Sequence, residues 1–315
     1  MANIHSLFQT FNENITLSDA KTTSLRTSRN SLRQDIRDWF KESGKDQPQF
    51  CWQGSFAMKT TVNPTTGKDY DIDDGIYLRG YSGQDMSEWP VPATVHNWIK
   101  NAVEGRTKAT PINKDTCIRV PYANGYHVDL PIYIEKDDAI YLAHKTKGWT
   151  TSDPKAFRDW FVEKVKDNGE QLRRMVKYLK AWKDFKGLPI KGIELTILIC
   201  ENFDSFDGRD DKSLKNTIEN IITTLENSYK CKKPVVPYED LFKSHSQTRK
   251  SEIISAFKTL KNALIDAINE QDEEAASEKI IAVFGSRFPR GESNKKAEYQ
   301  RTSSPGVLKH DGRSG

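Results

Sequence analysis

A glycine-serine turn followed by two carboxylates on one strand constrains this 315-residue chain more than any other feature. Gln53-Gly54-Ser55-Phe56 is succeeded, after the loop Asn63-Pro64-Thr65-Thr66-Gly67-Lys68, by Tyr70-Asp71-Ile72-Asp73-Asp74-Gly75-Ile76-Tyr77. Gly has no Cβ, so the backbone at Gly54-Ser55 can approach a phosphate closely, and successive N–H groups there form an anion nest. Residues two apart on a strand share a face. Asp71 and Asp73 therefore stand side by side, and Asp74 points the opposite way. Such a pair beside a phosphate turn suits a hard ion such as Mg2+, which takes carboxylates together with substrate phosphates.

An isolated Asp-x-Asp is usually a solvated turn or a helix cap. The Gly-Ser turn upstream and a third acid downstream reverse that reading. In His127-Val128-Asp129-Leu130-Pro131-Ile132 the apolar residues alternate with Asp129, as on a half-buried strand. Two metal ions bridged by Asp71, Asp73 and Asp129, roughly 3.5–4 Å apart, would clamp an attacking hydroxyl and a leaving pyrophosphate in line. This chemistry is nucleotidyl transfer. His127 shares the face of Asp129, but a histidine at a strand end is more often structural.

The flanks are organised accordingly. Ser18 is a cap for a helix reaching about Ser43, with Leu25, Leu32, Ile36, Trp39 and Phe40 on one face and Arg26, Arg29, Arg33 and Arg37 around the rest. Strands are predicted at 49–53, 70–78, 117–122 and 126–134, with a helix over 91–102 and an Ala123-Asn124-Gly125 hairpin turn. From about Lys155 helical periodicity takes over, at 156–167, 170–186, 193–202, 214–229, 248–269 and 273–284. Beyond Gly291 the chain is polar and too poor in aliphatic side chains to offset its ordering entropy. The expected fold class is α+β: a catalytic lobe over residues 1–155, a helical nucleotide-binding lobe over 156–290, and a flexible tail over 291–315.

Composition excludes other classes. No apolar run approaches the roughly 20 residues of a membrane helix, and the first residues lack the pattern of a secretory signal. Cys51, Cys117, Cys200 and Cys231 have no Cys-x-x-Cys spacing, and Cys51, Cys117 and Cys200 lie in apolar segments as core thiols would, which fits a reducing cytoplasm. The net charge of +4 arises from 48 basic and 44 acidic residues interspersed. That balance suits a triphosphate pocket better than a nucleic-acid stripe.

The strings Gln53-Gly54-Ser55-Phe56, Tyr70-Asp71-Ile72-Asp73-Asp74-Gly75-Ile76-Tyr77 and Tyr126-His127-Val128-Asp129 resemble those of the bacterial cGAS/DncV-like nucleotidyltransferases, a branch of the polymerase-β-like superfamily. Leu25–Arg33, Val176–Trp182 and Phe284–Pro289 extend the resemblance to about residues 5–290. It implies a polymerase-β-like lobe of twisted mixed sheet and helices, followed by a helical lobe. It also implies a cyclic oligonucleotide synthase that joins ATP, GTP or other nucleoside triphosphates in anti-phage signalling, using two Mg2+ ions, with Mn2+ as a substitute. Gln53, Gly54 and Ser55 would hold the donor triphosphate, and Asp71, Asp73 and Asp129 the metal. Arg119 and Lys177 fall where the family places triphosphate-contacting cations. Lys180, one turn on, is an alternative to Lys177.

The chain reads Ile190-Lys191-Gly192-Ile193 where animal relatives carry a Ser-Tyr nucleotide contact. It also has no Cys/His zinc insertion, so nucleic acid is not expected as an activator. Some relatives are encoded beside ubiquitin-transfer-like enzymes that conjugate them through the C-terminal carboxylate, and the terminal Arg313-Ser314-Gly315 would fit such an enzyme's narrow channel, the other reading being a terminus under no selection. Two other readings stay open: an enzyme making a linear product or modifying a target, and a catalytically silent nucleotide-binding regulator. The latter would not need Asp129.

Overall fold

The computed structural model describes residues 2–65, 67 and 69–293. The long helix forms where its cap signal lies. The Ser18 hydroxyl accepts from the Lys21 N–H at the start of α2 (Asp19–Glu42), and Asp19 in the first turn complements the helix dipole. Leu25, Leu32, Ile36 and Phe40 form its buried stripe. A shorter helix, α1 (His5–Asn14), precedes it. Ile4 at its N-cap position has no side-chain cap bond to offer, and Asn3 Oδ1 accepts from the His5 N–H at 3.2 Å instead.

The sheet grows around the central strand β2 (Tyr70–Leu78). β1 (Gln49–Gln53) pairs with it antiparallel, Gln53 opposite Asp73, and leads into the single helical turn α3 (Gly54–Ala57). α4 (Pro92–Val103) and the two-residue β3 (Ile112–Asn113) come next, then the hairpin of β4 (Ile118–Tyr122) and β5 (Tyr126–Leu130). Gly125 turns this hairpin at φ +72°. β6 (Ile132–Lys136) continues β5 in the same parallel register against β2, Tyr70 opposite Tyr126 and Ile76 opposite Ile132. The two are one strand interrupted at Pro131, which has no N–H for the ladder. β7 (Ala139–His144) and β8 (Gly148–Thr151) complete the sheet.

α2 and α4 cover one face. Leu25, Leu32, Val95 and Ile99 pack on Ile72, Ile76 and Val128 in a continuous core. The opposite face carries the acids and looks towards six further helices: α5 (Pro154–Asn168), α6 (Glu170–Lys186), α7 (Gly192–Asn202), α8 (Asp210–Asn227), α9 (Gln247–Asn269) and α10 (Glu273–Phe284). These share a second core around Trp182, Phe257 and Phe284.

α1 joins this helical core although α2 follows it directly. Phe8 and Phe11 insert between Tyr178, Phe284 and Phe288, with ring centroids 4.9–6.0 Å apart. Met58 and Val62, just after the Gly-Ser turn, are buried in the same core. At the other end the Gly291 N–H donates to Ser277 Oγ at 2.9 Å, and Ser293 Oγ to Asp272. The proposed conjugation of the C-terminus rests on residues 294–315, which lie outside the described residues.

Candidate active site

The pairing of three strands assembles the site. Asp71 stands opposite His127 and Asp73 opposite Asp129 across the parallel β2/β5 ladder, and Arg119 stands opposite Asp129 across the β4/β5 hairpin. The three carboxylates thus meet on one face of the sheet, at the edge of a cleft of about 510 Å3 between the lobes. Gln53, Gly54, Ser55, Asp71 and Asp73 line the cleft from the sheet, and Lys180 from α6. Asp129 and His127 sit behind them, each 7% exposed.

The glycine of the turn is fixed by this crowding. Gly54 adopts φ +66°, and a Cβ there would lie 1.9 Å from Asp73 Oδ2. A residue without a side chain lets the turn lie against β2 with the Asp73 carboxylate undisturbed. Ser55 Oγ and Thr61 Oγ1 are 2.8 Å apart, tying the turn to the loop beyond it. Gln53 Nε2 donates to the Tyr133 hydroxyl at 2.9 Å, which anchors the end of β1.

The electrostatics are those of a site that wants positive charge. Burial pushes the Asp73 carboxyl well above its usual range, and the negative charges of Asp71 and Asp129 push it further. Asp71, His127 and Asp129 each offer a ligand atom, all within 4.8 Å of one another. The donor set fits a divalent cation on two counts: carboxylates that repel one another in a desolvated corner, and a buried His127 Nε2 with no hydrogen-bond partner.

The expected cations take distinct places. The Arg119 guanidinium forks onto Asp129, Nε to Oδ1 at 2.8 Å and Nη2 to Oδ2 at 2.7 Å. It orients that carboxylate and does not line the cleft. The hairpin already encodes this pairing, because a turn at 123–125 that faces Tyr122 with Tyr126 also faces residue 119 with residue 129. Lys177 does not line the cleft, and its ammonium donates to Thr16 Oγ1. Burial, followed by the charges of Arg173 and Arg174, lowers it to about 8.

Lys180 is the lysine on the cleft wall. It donates to Thr60 Oγ1 at 2.9 Å. Burial pulls it down to about 8, against the charges of Asp71 and Asp73, which favour its ammonium. On the far face Asp74 accepts a fork from Arg33, with Nε at 2.6 Å, and Arg29 lies over the Trp52 ring at 4.2 Å. These two arginines serve the back of the sheet.

Comparison with known proteins places the chain. Residues 48–133 match the nucleotidyltransferase domain of the cyclic GMP-AMP synthase DncV-like family, and residues 169–297 match the C-terminal domain of cyclic GMP-AMP synthase. A cyclic GMP-AMP synthase of Escherichia albertii is 28% identical over 220 residues, 64% of this chain and 48% of that protein. The chain thus matches about half the length of that relative. A cyclic AMP-AMP-AMP synthase of an Acinetobacter species is 25% identical, over 85% of this chain and 81% of its own. Among solved structures, Vibrio cholerae DncV with a linear pppA(3′,5′)pG intermediate superposes with a TM-score of 0.79 at 20% identity, covering 91% of this chain and 97% of that one. Its fold is therefore the one described above. With both lobes matched in chain order, the protein belongs to the DncV-like nucleotidyltransferases.

Proposed function

We propose that the protein is a cyclic oligonucleotide synthase, joining nucleoside triphosphates into a cyclic di- or trinucleotide with release of pyrophosphate. The observation that carries this reading is the convergence of Asp71, Asp73, Asp129, the Gly54-Ser55 turn and Lys180 on one cleft. The relatives named cyclic GMP-AMP synthase and cyclic AMP-AMP-AMP synthase support it.

In each step a ribose hydroxyl oxygen forms a bond to the α-phosphorus of a second nucleotide, and the bond from that phosphorus to the bridging oxygen breaks. The hydroxyl proton is lost, and the electron pair leaves with pyrophosphate. A last such attack within the linear product closes the ring, the second for a dinucleotide and the third for a trinucleotide, each releasing one pyrophosphate. The Gly54-Ser55 backbone cradles the triphosphate, and Lys180 supplies a charge-assisted contact to it. Asp71, Asp73 and Asp129 hold the divalent cations, which we take to be two Mg2+ ions. When bound, these supply positive charge at the reacting phosphate and acidify the attacking hydroxyl. Arg119 keeps Asp129 in register for this task. A role in cytoplasmic anti-phage signalling follows from the same reading.

Incubation with the four nucleoside triphosphates and Mg2+, then phosphatase, tests the proposal. A cyclic product has no terminal phosphate and survives with the mass of a di- or trinucleotide ring. Products that are all phosphatase-sensitive would assign a linear-product enzyme, and no nucleotide turnover would leave only a binding protein.

A further inference from the structure

Distant parts of the chain meet at Asn63, in the loop between the phosphate turn and β2. The Asn63 N–H donates to the Ile15 carbonyl at 2.7 Å, and Val62 bridges Thr16 beside it. Lys21 of α2 donates to Asn63 Oδ1 at 2.5 Å. From beyond α10, Arg287 Nη1 donates to the Asn63 carbonyl at 2.5 Å and Arg287 Nη2 to the Ala181 carbonyl of α6 at 3.0 Å. The Arg287 backbone is itself held, its carbonyl accepting from Asn14 Nδ2 at 2.9 Å.

Burial lowers the Arg287 guanidinium below its ordinary value, against the charge of Asp184. A half-buried guanidinium whose donors go to two backbone carbonyls acts as a brace, because its planar fork aims those donors in fixed directions. Bonding both carbonyls fixes the spacing of α6 and the loop. Each end of the brace lies beside a group assigned above to the triphosphate. Ala181 follows Lys180, whose ammonium donates to Thr60 Oγ1 at 2.9 Å and to the Thr60 carbonyl at 3.3 Å. Thr61 Oγ1 lies 2.8 Å from Ser55 Oγ. Thr60, Thr61 and Val62 line the cleft, so the loop that Arg287 grips is the wall against which Lys180 is set.

We propose that Arg287 is a positioning residue for the triphosphate site, joining loop 60–63 to α6 and thereby holding Lys180 in the cleft wall. The inference rests on the reading that Lys180 contacts the triphosphate. Arg287 does not line the cleft and acts through Lys180. Without the brace the loop and α6 can part, and the lysine loses the threonine that fixes its ammonium. The closing segment 284–289 then serves the site and not the helical core alone.

Equilibrium binding of a non-cleavable nucleoside triphosphate analogue to the full-length protein with Mg2+ tests this, in a double-mutant cycle of Arg287→Met and Lys180→Met. Arg287→Met should weaken binding about tenfold, within the roughly 10–100-fold that the whole Lys180 contact is worth. In the Lys180→Met background the same change should cost less than about twofold, because the residue it positions is gone. Phe284→Leu is the control for a merely structural role. It loosens the packing on Phe8 and Phe11, so it should lower urea stability and leave Kd near wild type. Equal fold-changes in the two backgrounds, or a loss no greater than that of Phe284→Leu, overturn the proposal. Arg287→Lys, a point charge that cannot fork onto both carbonyls, carries the same cycle if the methionine variant does not fold. A wild-type protein that fails to bind the analogue overturns the proposal together with the reading beneath it. A linear product in place of a cyclic one leaves the result intact, because the cycle is read from binding.

Discussion

Gly54→Ala separates the part of the site that is conformational from the part that is steric. At φ +66° any L-residue meets a left-handed penalty of about 1–2 kcal/mol. The new Cβ would also sit 1.9 Å from Asp73 Oδ2 and 2.8 Å from its Cγ. The obstructing atom is the far end of a flexible side chain, so the carboxylate can swing aside for about 0.5–1.5 kcal/mol of rotamer strain. To restore ordinary contact, at 3.4 Å or more, it must retreat by about 1.5 Å, and a displacement of even about 1 Å at a reacting centre costs about 100-fold in rate. Gly44 supplies the control, with φ +64° and no atom within 4 Å of a Cβ. Gly44→Ala bears the same backbone penalty without the collision. Urea unfolding should show both variants weakened by about 1–2 kcal/mol, with at most about 1.5 kcal/mol more for Gly54→Ala. Pyrophosphate release should fall about 100-fold in Gly54→Ala alone. Equal rates in the two variants would refute the argument that the turn and Asp73 are mutually fitted.

The other predictions concern charge. Asp71→Asn and Asp73→Asn should each lower product formation by about 1000-fold or more, because a cation ligand worth several kcal/mol in the transition state is lost; circular dichroism should report an unchanged fold. Lys180→Met should raise KM for nucleoside triphosphate about 10–100-fold, the worth of a charge-assisted contact, while Lys177→Met lowers urea stability and leaves KM near wild type. Burial lowers Lys180 to about 8, so its charge is present below that pH and lost as pH rises through it. KM should therefore climb above pH 8 in the wild type and stay level in Lys180→Arg. Arg119→Met should lower kcat more than it raises KM, since the guanidinium touches Asp129. Removal of residues 294–315 should leave nucleotide synthesis unchanged, because every cleft-lining residue precedes them.

The carboxylate pair was legible because strand periodicity alone puts Asp71 and Asp73 on one face, and the Asn-Gly turn at 124–125 fixed a hairpin register that also held the Arg119–Asp129 pairing. The helices of the second half were legible for a like reason, since their apolar residues repeat every three or four positions for several turns. The choice between Lys177 and Lys180 was not. They stand three residues apart on α6, and what separates them is Thr16, a residue more than 160 positions away that takes up one ammonium. Nor could α1 be read in advance, because a ten-residue helix without a cap owes its existence to the aromatic pocket that receives it. Long-range packing decided both cases, and local sequence does not record it.

The seating of Phe8 and Phe11 among Tyr178, Phe284 and Phe288 has a consequence for how the protein is made. The helical body is discontinuous in the chain, and the whole sheet lobe is an insertion between its first helix and the remainder. On the ribosome α1 emerges first, but the residues that complete its pocket are made after more than 270 others. At about 5–20 residues per second, two phenylalanines wait tens of seconds for their partners while the sheet, whose strands all lie between residues 49 and 151, can close on its own. Synthesis therefore orders the two halves in time. The acid-bearing face of the sheet can assemble early and the cleft-lining residues of α6 and α7 follow it, but the pocket that holds Phe8 and Phe11 is complete only when the last helix arrives, so the helical body closes last.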